Sequence, residues 1–243
     1  MEKPLEYFDN NVGGTISLMV AMQKNHINTL VFSSSACVYG EPQYLPIDED
    51  HPTNSTNPYG KTKLHIEEML KDVVDSKKEL RVVCLRYFNP VGAHDSGLIG
   101  ERAIGTPNNL MPYVSQVAAG KLAKVYVFGN DYPTVDGTGV RDYIHVLDVA
   151  AGHIAAINFL VKKKGWHAIN LGTGYGTSVL EMISEFASLS SRSIPYEIVK
   201  RRPGDVASCY ASVDKAEELL NWKAGKNLKS MCKSAWNWQE NLK

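Results

Sequence analysis

The sequence predicts an α/β protein built on a doubly wound parallel sheet, with a smaller α/β region after it. Three observations carry this expectation. Residues 29–33 and 81–86 are short β-branched apolar runs of the kind buried on both faces of a parallel sheet. Apolar residues at helical spacing fill the stretches before and between them. Strand and helix alternating at these lengths point to a sheet covered by helices.

Taken in order, residues 5–26 place Leu5, Phe8, Val12, Ile16, Met19 and Val20 at helical spacing, with Gly13-Gly14 weakening the middle. The strand at 29–33 runs directly into Ser33-Ser34-Ser35. Pro58 suits a first helical turn and opens a helix with Leu64, Met69, Leu70 and Val73 on its apolar side. After the strand at 81–86, residues 89–109 are rich in Gly, Pro and Asn and too long for an ordinary connection, a length usually kept for function. A helix at 111–119, a strand at 125–128 and a polar loop at 129–139 follow. Residues 142–146, a helix to about 163 and a strand at 166–171 resume the alternation. A helix after Thr177, a strand at 195–199 and helices near Ser212 and Leu228 complete the chain.

Composition narrows the function. With 44% apolar residues in 243, the chain buries a substantial core. Its 26 basic and 26 acidic residues balance, which removes the electrostatic footprint of a nucleic-acid or anionic-membrane binder. Cys37, Cys84, Cys209 and Cys232 are far apart without C-x-x-C spacing, so reduced thiols are expected rather than a zinc site or disulfides. The first residues lack the pattern of a signal or transit peptide, and no apolar run reaches membrane-spanning length. A soluble cytoplasmic protein without a metal is expected.

Chemistry concentrates in Tyr59-Gly-Lys-Thr-Lys63 and the serine run. A second Y-x-x-x-K match, Tyr196 to Lys200, lies in a segment that reads as extended, where four residues span roughly 13 Å at about 3.3 Å each. On a helix the same spacing brings both side chains within ~6 Å on one face, so only Tyr59 and Lys63 can act together. An ammonium beside the phenol is expected to lower its pKa from ~10 toward neutrality, as a general base requires. Read alone, the pair is more readily an exposed Tyr and Lys at a helix start, and the serines merely close a strand and cap a turn. Their combination at the carboxyl end of a strand, where ligands bind in open α/β sheets, favours the functional reading, with Ser35 the serine projecting into the crevice.

The segments SSSACVYG, NPYGKTK, LRYFNPVGAH, PNNLMPY, FGNDYPTVDGTGVRDYIHVLDVA and RRPGDVASCYA, in this order, closely resemble the UDP-glucose 4-epimerase family of the extended short-chain dehydrogenase/reductase superfamily. The resemblance covers essentially the whole chain. It implies a truncated Rossmann-like doubly wound parallel sheet with a smaller α/β substrate-binding domain: 1–88 NAD-binding, 89–243 UDP-sugar-binding, with 140–175 returning to the first sheet. It implies NAD as a retained cofactor, contacted by Asn10, Ser35, Tyr59, Lys63 and Phe88. Tyr59 would take the sugar 4-hydroxyl proton, Lys63 would hold the nicotinamide ribose and lower the Tyr59 pKa, and Ser35 would bind the 4-oxygen.

On the substrate side the resemblance assigns Asn89, Asn109 and Leu110 to the sugar and diphosphate, and Tyr126, Val127 and Phe128 to uracil. Arg141 and Arg202 would take the phosphates, whose oxygens suit a planar guanidinium, and Asp205 a ribose hydroxyl. Without the family, Arg202 is a solvated surface cation and Phe128 core. Cys209 stands where bacterial-type relatives carry Tyr and animal-type relatives Cys, implying room for N-acetylated UDP-sugars. The helices at 5–26 and 59–77 resemble the intersubunit bundle of a homodimer. Ala36 and Cys37 lack the carboxyl groups that a sugar-nucleotide dehydratase needs, which favours epimerisation in galactose metabolism; another NAD-dependent dehydratase or decarboxylase, or a non-catalytic UDP-sugar binder, are the alternatives.

The family's opening strand, glycine-rich turn and helix do not precede residue 1. At ~30 residues per strand–helix–strand unit, roughly 60–90 residues of the pattern are missing, and the expectation is a chain that alone retains little NAD and little activity. Gly172-Thr-Gly174-Tyr-Gly176 is not expected to replace that turn. Thr177 stands where the third glycine belongs, and Ser178 with Glu181 reads as a capping box.

Overall fold

The computed structural model describes residues 3–103 and 105–242. In chain order, α1 (Pro4–Phe8) passes through a π-helical turn (Asp9–Gly13) into α2 (Gly14–Lys24), and β1 (Thr29–Ser35) ends in a 3-10 turn (Ala36–Val38). Then come α3 (Pro58–Ser76), β2 (Arg81–Tyr87), β3 (Asn89–Val91), α4 (Leu110–Ala118), β4 (Val125–Phe128), β5 (Val140–Arg141) and β6 (Tyr143–His145). The chain continues with α5 (Val146–Lys162), β7 (Gly165–Leu171), β8 (Thr177–Ser178), α6 (Val179–Ser190), β9 (Tyr196–Val199), β10 (Ser208–Cys209), α7 (Asp214–Leu220) and α8 (Leu228–Asn241). Gly13-Gly14 does not break the first helical run. The chain absorbs the weak point as a π turn, whose Asn11 amide donates to Thr62 Oγ1 on α3 at 2.9 Å.

The described residues form two compact units. One draws on Met1–Phe88, Ala151–Leu171 and Ala211–Lys223. Its parallel sheet runs β1-β2-β7, with Thr29 opposite Arg81 and Arg81 opposite Gly165. The β2 strand is central, and five consecutive residues, Val82 to Arg86, are buried, as its unalternating apolar pattern requires. Under the sheet, Ile66, Leu70 and Val74 of α3 pack with Leu80, Val82 and Cys84. Full burial of each such aliphatic contributes about 1.5–3 kcal/mol.

The other unit draws on Asn89–Ala150, Gly172–Tyr210 and Ala224–Lys243. Helices α4, α6 and α8 enclose a core of Met111, Val114, Val125, Val127, Met182, Phe186 and Met231. Around it lie three small sheets, the pairs β3-β6 and β4-β9 and the triple β10-β5-β8. This division differs from the expected boundaries. Of residues 140–175, β7 pairs into the first sheet, whereas β5 and β6 pair within the second unit. Residues 211–223 in turn join the first unit, where Ala211 bridges Ile47 and the Ser212 N–H donates to the Ile47 carbonyl at 2.7 Å. Sequence proximity did not carry these pairings.

Ser178 and Glu181 close the expected capping box: Ser178 Oγ accepts the Glu181 N–H at 3.0 Å, and Glu181 accepts the Ser178 N–H at 2.8 Å. Ser178 also donates to Asp136. Ser178→Ala is expected to cost about 1 kcal/mol, seen as a fall of ~2–4 °C in the thermal midpoint. An unchanged midpoint would show that α6 does not depend on its cap.

Candidate active site

In the first unit the serines do not merely follow β1; they belong to it. Parallel pairing sets Ser33 opposite Leu85, Ser34 opposite Arg86 and Ser35 opposite Tyr87, so the ladder extends the strand past its apolar run. The three hydroxyls then part company. Ser33 pairs with His153 Nε2 at 2.9 Å, and Ser34 donates to Glu67. Ser35, itself buried, accepts the Cys37 N–H at 3.2 Å and lies beside the Tyr59 phenol.

Helix α3 brings the phenol there. Asn57 caps it by accepting the Gly60 N–H at 2.9 Å, and Pro58 occupies its first turn. A Cβ on Gly60 would lie 2.1 Å from Ser55 Oγ and 2.6 Å from the Cys37 carbonyl oxygen. Only glycine lets this helix start press against the turn that follows Ser35. Glycine inside a helix costs about 1 kcal/mol relative to alanine, and a glycine directly after Tyr59 was the available signal for this close approach.

Lys63 lies one turn on. Its Nζ donates to the Ser33 carbonyl at 2.9 Å and sits 5.7 Å from the Tyr59 ring centroid. Burial lowers the Lys63 pKa. The expectation of a lowered Tyr59 pKa is not met. Burial, reinforced by Tyr87 and Cys37, pushes the phenol up to about 12, and the Ser35 hydroxyl only partly offsets this. The ammonium is directed at a carbonyl rather than at the phenol oxygen, so desolvation of the phenolate dominates. The competing match is dispersed as expected: Tyr196 is exposed on β9, and Lys200 lies beyond the strand's end. Asn10 is exposed in the π turn with its amide on Asn11, and Phe88 is buried just after β2, its N–H on the Leu171 carbonyl.

The second unit contains a cavity of about 300 Å³. Asn89, Asn109, Leu110, Tyr126, Val127, Phe128, Arg141, Arg202 and Asp205 all line it, although they come from five separate stretches of chain. Asn108, Tyr113, Tyr132 and Tyr143 also line it and carried no separate sequence signal. The Arg202 guanidinium lies 3.8 Å over the Phe128 ring, a cation–π contact. Arg141 is held by the Val140 and Val206 carbonyls at 2.8 and 2.9 Å, with Asp205 3.8 Å from its Nη2. Cys209 is half-buried on β10 opposite Arg141 and does not line the cavity.

The glycine turn at 172–176 is already engaged. Buried Asp142 accepts the N–H groups of Thr173 and Gly174 at 2.8 and 3.0 Å and the Thr173 hydroxyl at 2.6 Å. A carboxylate occupies the donors that a phosphate would use. Among the described residues, no helix is long and apolar enough to cross a membrane.

The profile of the NAD dependent epimerase/dehydratase family matches residues 1–172. The chain is 56% identical over 241 residues to the UDP-glucose 4-epimerase of Homo sapiens, covering 99% of this chain and 69% of that one. It is 54% identical over 236 residues to that of Bacillus subtilis, covering 97% and 70%. A crystal structure of UDP-glucose-4-epimerase from Stenotrophomonas maltophila, with bound NAD and formylated UDP-arabinopyranose, superposes with a TM-score of 0.97 at 51% identity, over 98% of this chain and 71% of that one. The enzyme from Bifidobacterium longum in complex with NAD+ and UDP gives 0.95 at 52% identity, over 99% and 72%. Similarity of this extent, in sequence and in fold together, shows that the chain belongs to the NAD dependent epimerase/dehydratase family.

Proposed function

We propose that the protein is an NAD-dependent isomerase that interconverts UDP-glucose and UDP-galactose by epimerisation at C4. The carrying observation is the convergence of Tyr59, Ser35 and Lys63 at the carboxyl end of β1. The donor set suits the nicotinamide end of NAD: one of three Lys63 donors is taken by Ser33, and a buried hydroxyl and a phenol stand beside it. Ser35, Tyr59 and Lys63, with Asn10 and Phe88, would hold it. NAD, when bound, supplies a two-electron acceptor for the sugar C4 hydrogen and a formal positive charge.

The remaining work falls to this chain's side chains. Tyr59 takes the 4-hydroxyl proton, Ser35 holds the 4-oxygen, and Lys63 would hold the nicotinamide ribose. The same groups return the proton when the alcohol re-forms with inverted configuration. With its pKa raised to about 12 by burial, the phenol keeps its proton at neutral pH, so general-base action requires positive charge beside it. Ala36 and Cys37 provide no carboxyl group for elimination of water. In the second unit, Phe128 with Tyr126 and Val127 would face uracil, Arg141 and Arg202 the diphosphate, Asp205 a ribose hydroxyl, and Asn89, Asn109 and Leu110 the sugar side.

Cytoplasmic galactose metabolism is the setting this reading implies. A homodimer packed through α1, α2 and α3 is supported by the exposed apolar Leu5, Ile16, Leu18 and Val20. The test is to purify the protein, assay bound NAD, and follow conversion between UDP-glucose and UDP-galactose. Interconversion with NAD supplied, even if slow, supports the proposal; UDP binding with no detectable interconversion at saturating NAD would overturn it. Cys209 adds a finer expectation: Cys209→Tyr should abolish turnover of UDP-N-acetylhexosamines and spare UDP-galactose. Equal loss of both substrates would remove Cys209 as the determinant.

A further inference from the structure

Glu67 follows Tyr59 by eight residues and Lys63 by four, so the three side chains project from one face of α3. Unlike the other two it is almost fully enclosed, 2% exposed, and so is Arg86 on β2, at 4%. Arg86 grips the carboxylate at two points, Nε at 3.1 Å from both oxygens and Nη2 at 2.6 Å from Oε2. The Ser34 hydroxyl donates to the same carboxylate. From there the network continues across the sheet. Arg86 Nη1 donates to the Tyr39 hydroxyl at 3.1 Å, and Tyr39 donates to Asn170 Oδ1 on β7 at 2.7 Å. Asn170 in turn donates to the Ile47 carbonyl at 2.9 Å, and its N–H to the Glu49 carboxylate at 2.6 Å.

Two neighbouring rungs therefore join α3 to β1: Lys63 to Ser33 and Glu67 to Ser34. The next residue of the strand, Ser35, faces Tyr59. A buried ion pair gives weak support to stability, because apolar groups of similar volume often serve as well or better. Its directional bonds do supply register. Any slide of α3 along β1 that moved the phenol would also have to break the Glu67 bonds.

We propose that Glu67 and Arg86 are positioning residues, whose buried pair locks α3 onto the end of β1 and so fixes the Tyr59 phenol against the Ser35 hydroxyl. This rests on the reading of Tyr59, Ser35 and Lys63 as the proton-transfer set.

Two variants of the full chain test it: the paired apolar replacement Glu67→Leu with Arg86→Met, and the milder Ser34→Ala. Each is compared with its Tyr59→Phe counterpart by ultraviolet titration, so that the difference reports the Tyr59 phenol alone. The paired variant is expected to fold, to lose kcat by about 10–100-fold with KM for the UDP-sugar unchanged, and to titrate Tyr59 at least one pH unit below about 12 as the loosened phenol gains solvent. Ser34→Ala is expected to shift both in the same direction by less, and it decides the question if the paired variant does not fold. A folded variant with wild-type kcat and an unmoved Tyr59 titration overturns the proposal. If the wild-type chain supplied with saturating NAD shows no interconversion of UDP-sugars, the epimerase reading fails, and the titration still decides whether Glu67 and Arg86 hold the phenol.

Discussion

Tyr59→Phe is expected to reduce kcat for UDP-galactose interconversion by about 10²–10⁴-fold, the usual contribution of a positioned acid–base group. The ring and its packing against Tyr7, 6.3 Å between centroids, are retained, so folding and UDP affinity should be unchanged. The same residue predicts a pH signature. In the unliganded protein the phenol, raised to about 12, should show phenolate absorbance only well above the ordinary value near 10. The sign for stability follows from linkage. The unfolded chain ionises first, so the contribution of this group is complete below about 10 and is lost as pH rises through about 12. For turnover, the apparent basic pKa in kcat/KM should lie well below 12, because the reading requires positive charge beside the phenol. A Tyr59→Phe protein with near wild-type kcat would remove the phenol from the mechanism.

Arg202→Ala carries the largest expected effect on binding. A charge-assisted contact contributes about 1.5–3 kcal/mol, so the Kd for UDP should rise about 10–100-fold. Arg202→Lys should recover little of this, because an ammonium lacks the planar fork and stacks poorly on Phe128. Arg202 is exposed, so the thermal midpoint of the free protein should not move, and calorimetric titration with UDP reads the loss directly. Unchanged affinity would place the diphosphate elsewhere.

Much of the proposed acid–base set was legible in sequence because its determinants are local. Tyr59 and Lys63 share a helix face by spacing alone, and Asn57-Pro58 starts that helix by the chemistry of its first turn. The strands β1, β2 and β4 stood out as uninterrupted apolar runs. The two-residue strands β5, β8 and β10 did not, because pairs of residues carry no period to detect.

By itself, then, the sequence determined the alternating α/β architecture, the one Tyr–Lys pair that shares a helix face and the set of motifs that mark the family. Tertiary structure decided what depends on partners far along the chain. It gave three adjacent serines three different partners, His153, Glu67 and the Tyr59 neighbourhood. It directed the Asp142 carboxylate onto the N–H groups of the glycine turn. It also raised the Tyr59 pKa where the nearby lysine suggested the reverse. Spacing along a helix is a property of the chain, but burial and hydrogen-bond direction arise only when distant segments meet.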